Sequence, residues 1–215
     1  AGPLLWAAIL ALTFYPFTTR LTAVFRGQRG MAAAVLVVLV TAGAIDVLPT
    51  NLRPFYEKHR SFIVEHSVDP DLWRNVGFTE EPPRHYLDLD SYGVYPYREL
   101  PRDRQAATQK FGREKIEQEG QLPWRVDEVY GRLAQAFQQQ KVGSHPYSLD
   151  DIKFFSAVIS HYVSDGHVPF HAAKNYDGQL TNQHGIHSRL ETEAVLRYQA
   201  RLTIRPAPLV PVSNV

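Results

Sequence analysis

Two histidine–carboxylate pairs constrain this chain more than any other feature. His161 and Asp165 are four residues apart, and so are His187 and Glu191. On a helix that spacing places both side chains of a pair on one face. The stretch between them, 161–191, holds five of the nine histidines together with Asp165, Asp177 and Glu191. A fold that uses both pairs has to turn two helical faces toward a common space. His171 would then be delivered from the segment between them, after Pro169 has ended the first helix. Imidazole plus carboxylate without thiolate is the ligand set of a catalytic zinc site rather than a structural one. Cysteine is absent, which excludes disulfides and thiol catalysis. With 23 basic and 22 acidic residues the formal net charge is +1. No global field draws nucleic acid or an anionic membrane, so an anionic substrate has to be held locally, for instance by metal ions.

Strand patterns are poor and helix-period patterns recur, so the expected fold class is all-α, one mainly helical domain. Leu52, Phe55, Tyr56, His59, Phe62 and Ile63 follow helical spacing, with Asn51 as a cap and Pro54 in the first turn. Residues 103–119 read as an exposed polar helix. Trp124, Val129, Tyr130, Leu133, Ala136 and Phe137 mark an amphipathic helix entered at Pro123. Ser148 and Asp151 resemble a capping box that opens a helix running to Ser164. Phe154, Ala157, Val158 and His161 share one face of it, which points His161 inward. A last helix is expected over 186–201, followed by a Pro-rich tail, 206–215.

Residues 1–44 form an apolar N-terminal segment with runs at 3–17 and 31–44, and Arg20, Arg26 and Arg29 between them. The second run has the basic lead-in and the Ala42-Gly43-Ala44 site of a signal peptide. A membrane anchor and a buried core helix are the other two uses open to it. Either of the first two places the domain expected over 45–205 outside the cytoplasm, secreted or periplasmic, with possible membrane association through this segment.

Further upstream lie Asp69, Asp71, His85, Asp88 and Asp90. Taken together, H-x3-D-x5-H at His161, Asp165 and His171, then H-x3-E at His187 and Glu191, resembles the bacterial zinc-dependent phospholipases C. It is equally similar to the single-strand-specific zinc nucleases that share their fold. In that superfamily an Asp precedes a His by fourteen positions, the spacing of Asp71 and His85. The resemblance implies one zinc held by Asp71, His85, His161 and Asp165, and a second held by His171, His187 and Glu191. It implies hydrolysis of a phosphodiester, in a phospholipid headgroup or in single-stranded nucleic acid, with Asp71 orienting or deprotonating the attacking water. A third zinc in that family takes the amine of an N-terminal Trp and a His a few residues later. Here no His precedes His59 and Trp6 is not terminal, so either the chain has lost this set or its natural mature N-terminus lies elsewhere. A zinc-binding protein of the same fold with little or no catalysis is the alternative.

Other residues need placing. Asn175 and Tyr176, just beyond His171, are candidates to touch substrate; turn formation by the Asn-Tyr-Asp-Gly sequence is an equal reading. His167 reads as an outer partner of the ligands or as core. His184 competes with His187, and the spacing to Glu191 favours His187. Outer hydrogen-bond partners for the ligating imidazoles are expected from Asp88, Asp90 or Asp177.

Overall fold

The structure, a computed structural model, describes residues 28–198 and Arg201. The apolar run 3–17, Trp6 and the tail 206–215 lie outside the described residues. Among the described residues there is no sheet, only an isolated bridge between Leu87 and Gly120, so the chain is an all-α domain. Its elements are α1 (Gln28–Asp46), α2 (Arg53–Lys58), α3 (Arg60–His66), α4 (Asp69–Asn75), α5 (Arg104–Phe111), α6 (Arg113–Gln118), α7 (Leu122–Val142) and α8 (Ser148–Gly166). A 3-10 turn (Pro169–Ala172) and a long loop lead to α9 (Ile186–Ser188). A π-helical segment (Arg189–Ala194) and α10 (Val195–Tyr198) follow.

The hub is α8. It packs most extensively on α7, and also on α3 and α1. Ile152, Ala157, Val158, His161, Tyr162 and Asp165 are all buried, so the helix is covered on more than the one face read from sequence. Val158 and Tyr162 pack with Leu122 and Val129 of α7. On the other side Ala157 joins Val38, Ile45, Tyr56, Ile63 and Val64 from α1, α2 and α3. Each fully buried apolar side chain of this kind contributes about 1.5–3 kcal/mol. Two hydroxyl contacts fix the helices in register: Tyr56 Oη to Ser156 Oγ at 2.8 Å, and Thr41 Oγ1 to Ser160 Oγ at 2.8 Å.

The run 31–44 therefore sits within α1, which crosses the expected boundary at 44/45. Val38, Thr41 and Ile45 recur at three- and four-residue steps and bury one face against the domain. That is the packing of a core helix. Among the described residues no helix is long and apolar enough to cross a membrane.

Local details depart from the sequence reading at several points. Asn51 does not cap; α2 starts after Leu52, and a break at His59 divides the expected helix into α2 and α3. The 103–119 helix is split at Gly112, whose φ of +86° no helix accommodates, and Asp103 caps the first half through the Ala106 N–H at 2.7 Å. Ala107 and Ile116 are buried, so this pair of helices has an inner face. The expected capping box at Ser148 does not form, because its hydroxyl is spent on Gln140 at 2.5 Å. The last helix is not regular: its second stretch is π-helical, a geometry that often marks functional sites.

Candidate metal centre

Each candidate ligand is placed by a different element. Asp71 lies in the first turn of α4, and His85 follows a 3-10 turn (Pro82–Arg84). His161 and Asp165 occupy successive turns at the end of α8, and His171 the 3-10 turn after it. His187 is on α9, and Glu191 on the π-helical segment one turn later.

These elements converge on two groups of donors: Asp71, His85 and His161, and His171, His187 and Glu191. Within each group one donor atom per residue lies within 4.8 Å of the others, so each group could hold a metal ion. Asp165 stands between them. Its Oδ2 is 2.9 Å from His85 Nδ1 and 3.4 Å from His161 Nε2, while its Oδ1 is 3.6 Å from His171 Nδ1. In the second group His187 Nε2 lies 2.9 Å from Glu191 Oε2 and 3.2 Å from His171 Nε2. Both groups open on one cavity of about 290 Å³, also lined by Val37, Arg74, Asp177 and Thr192.

The backbone chooses the ring nitrogens. His161 Nδ1 donates to the Ser67 carbonyl at 2.8 Å, and His171 Nδ1 donates to the His85 carbonyl at 2.6 Å. A carbonyl only accepts, so these bonds fix the proton on Nδ1 and leave both Nε2 lone pairs facing the donor groups. The Leu87 N–H returns a bond to the His171 carbonyl at 2.8 Å, which ties the two loops to each other. Gly120 lets another segment pack closely against the same loop, at Tyr86. Its φ is +100°, and a Cβ there would lie 2.1 Å from the Tyr86 carbonyl oxygen.

Charge is concentrated here. Burial favours protonating Asp165, yet His161 and His85 hold its carboxyl well below the usual range. Burial opposes the charge on His85, yet Asp165 and Glu81 lift the imidazole to about 9. The same contest lowers Glu191 to about 2, with His171 and His187 outweighing burial. Several bases thus share protons in a confined space, and a cation that binds them has to displace those protons.

The remaining expectations divide. Tyr176 stands over His187, ring centroids 6.1 Å apart, whereas Asn175 spends both amide atoms inside its loop, on Thr181 at 3.1 Å and the Leu180 N–H at 2.7 Å. The turn reading therefore describes Asn175. His184 is exposed and belongs to neither donor group. His167 is neither core nor an outer partner: it is exposed, with Nδ1 donating to the Val163 carbonyl at 2.7 Å. Two of the three expected aspartates are not outer partners either. Asp90 accepts from the Lys174 N–H and Asp177 from the Gly185 N–H, each at 3.0 Å, so both hold loop backbone. Ser67 and His85 carbonyls serve instead, and backbone acceptors leave no mark in a sequence. Arg74 was missed, although it follows Asp71 by one helical turn and places Nη2 3.5 Å from Asp71 Oδ1. Comparison of the chain with protein-family models, with curated proteins and with solved structures gives no match.

Proposed function

We propose that this protein is a zinc-dependent phosphodiester hydrolase acting on phospholipid headgroups or single-stranded nucleic acid. The observation that carries the reading is the meeting of two nitrogen-and-oxygen donor groups in one cavity with a guanidinium at its wall. The donors suit zinc: neutral imidazole and carboxylate, with no thiolate and no all-oxygen cage of the kind calcium or magnesium takes. Asp71, His85, His161 and Asp165 would hold one ion, and His171, His187 and Glu191 the other. When bound, such a pair grips phosphate oxygens and makes water a competent nucleophile at neutral pH.

The chain's own groups supply the rest. Asp71 orients the attacking water and accepts its hydrogen bond, while Arg74 steadies that carboxylate and offers charge to a phosphate oxygen. The ring bonds from His161 to Ser67 and from His171 to His85 keep both imidazoles from rotating. Tyr176, half exposed beside His187, offers a face to the substrate's organic part. An extracytoplasmic location goes with this reading; sequencing the N-terminus of protein recovered from cell fractions tests it.

The decisive experiment counts zinc in the purified protein and assays an activated aryl phosphodiester, phosphatidylcholine and single-stranded DNA. About two zinc per chain and chelator-sensitive turnover of one natural substrate is the expected result. Zinc without turnover would instead make the chain a metal-binding protein of this fold. Activity unaffected by chelator would overturn the proposal.

A further inference from the structure

His85 differs from the other two buried imidazoles. His161 and His171 each send the ring nitrogen that points away from the donors to a backbone carbonyl. His85 turns Nδ1, not Nε2, toward Asp165 and His161. Its Nε2 is buried without a hydrogen-bond partner, and Glu81 Oε1 lies 3.6 Å from it. A buried N–H needs an acceptor, and Glu81 is the group placed to provide one.

Glu81 is built for that position. It is 1% exposed, and it does not line the cavity. Tyr162 Oη donates to its Oε1, and Arg84 Nη1 donates to its Oε2 at 2.9 Å. The Arg125 guanidinium lies 5.1 Å from the centre of the Tyr162 ring. A carboxylate so far from solvent, with its remaining acceptor capacity aimed at an imidazole, has no substrate to meet.

We propose that Glu81 is a positioning residue for the first metal site: its carboxylate takes the Nε2–H of His85 and so presents Nδ1 as the ligand atom. The proposal rests on the two-metal reading above. The spacing Glu81-x3-His85 is the reverse of His187-x3-Glu191, but the Pro82–Arg84 turn puts its carboxylate outside the ligand shell. A carboxylate behind a ligating imidazole raises its basicity, and removing such a partner typically weakens metal binding about 10–100-fold.

The test titrates Zn2+ and Co2+ into metal-free wild type, Glu81→Gln and Tyr162→Phe, with a chromophoric chelator as competitor and the cobalt d–d spectrum as readout. Wild type binds two equivalents. Glu81→Gln keeps the shape but loses the charge; it weakens one equivalent about 10–100-fold. Tyr162→Phe removes a contact to Glu81 but leaves the carboxylate behind His85; it lowers the melting temperature and keeps both affinities within a few-fold. Proton NMR of the cobalt-loaded wild type needs no variant: the Nε2–H of His85 exchanges slowly because the carboxylate holds it. Two equivalents unchanged in Glu81→Gln, or rapid exchange of that proton, overturns the role of Glu81 and leaves the two-metal reading standing. A wild type that binds neither ion removes the reading and the role together.

Discussion

The two donor groups share a cavity but not a construction. The first reaches deeper into the core: side-chain exposure is 1% for His161, 6% for His85 and 13% for Asp71. Its most buried member, His161, stands on α8, the helix that packs on α7, α3 and α1. The second is nearer the surface, with 13% for His171, 14% for Glu191 and 22% for His187. Two of its members stand on a one-turn helix and a π-helical segment at the end of a long loop. A site on a packed helix is held by the whole core, whereas one on a loop opens at lower free energy. The first group is therefore expected to bind tightly and exchange slowly, and the second to be the labile partner.

The strongest challenge to that contrast is Asp165, which touches both sides. Asp165→Asn should lower affinity at both sites, about 100-fold or more at the first, because it removes the charge facing His85, His161 and His171. Metal content after dialysis against a weak chelator checks it. A loss confined to one site would show that Asp165 does not link them.

Single-ligand variants should then separate the groups. His161→Ala should lose the first ion and also destabilise the metal-free fold by about 1–3 kcal/mol, since the buried Ser67 carbonyl loses its donor. His187→Ala should lose only the second ion, with metal-free stability within about 0.5 kcal/mol of wild type. Urea denaturation of both variants gives the comparison; equal costs would mean the two groups are equally embedded.

The protons in the site give a test of opposite slopes. His85 is lifted to about 9, above the ordinary imidazole value of about 6.5. Its contribution to the metal-free fold is complete below about 6.5 and disappears as pH rises through about 9. Glu191 is depressed to about 2, so its contribution is present above the ordinary value of about 4.3 and disappears as pH falls through about 2. Metal-free protein should be most stable between those windows and weaken toward alkaline pH. Zinc loading should strengthen over the same alkaline rise, because each imidazole must give up its extra proton to bind. Thermal melts and zinc affinities across that range, measured on one preparation, decide it; parallel slopes would contradict the shared-proton account.

The smallest effect belongs to His167→Ala. It lies two residues after Asp165 yet is exposed and bonded only to its own helix. Zinc content and melting temperature should match wild type, and a loss equal to that of a ligand variant would reassign the site.

Much of this was legible locally. The i,i+4 phasing of His161 with Asp165 and of His187 with Glu191 survived folding, even though the second pair sits on a distorted helix. His187 prevailed over His184 on the same spacing. What misled were residues with a choice of partners. Ser148 has the hydroxyl of a cap but finds Gln140 on the neighbouring helix, and of the two readings open to Asn175 the amide takes the turn, closing its own loop. Glu81 and Arg74 were written at helical spacing from His85 and Asp71 and still passed unread, because surface ion pairs show the same pattern.

By itself the sequence determined the helical class, the absence of thiol chemistry and the identity of the nitrogen and oxygen donors. Periodicity and residue type are local properties, and a helix turns them directly into faces. Only the tertiary structure decided that Asp71, His85 and His161 meet, that α1 belongs to the core, and which ring nitrogen each histidine presents. Those outcomes depend on carbonyls and buried carboxylates brought together across long stretches of chain. A backbone acceptor has no letter in the sequence until the fold sets it beside a side chain.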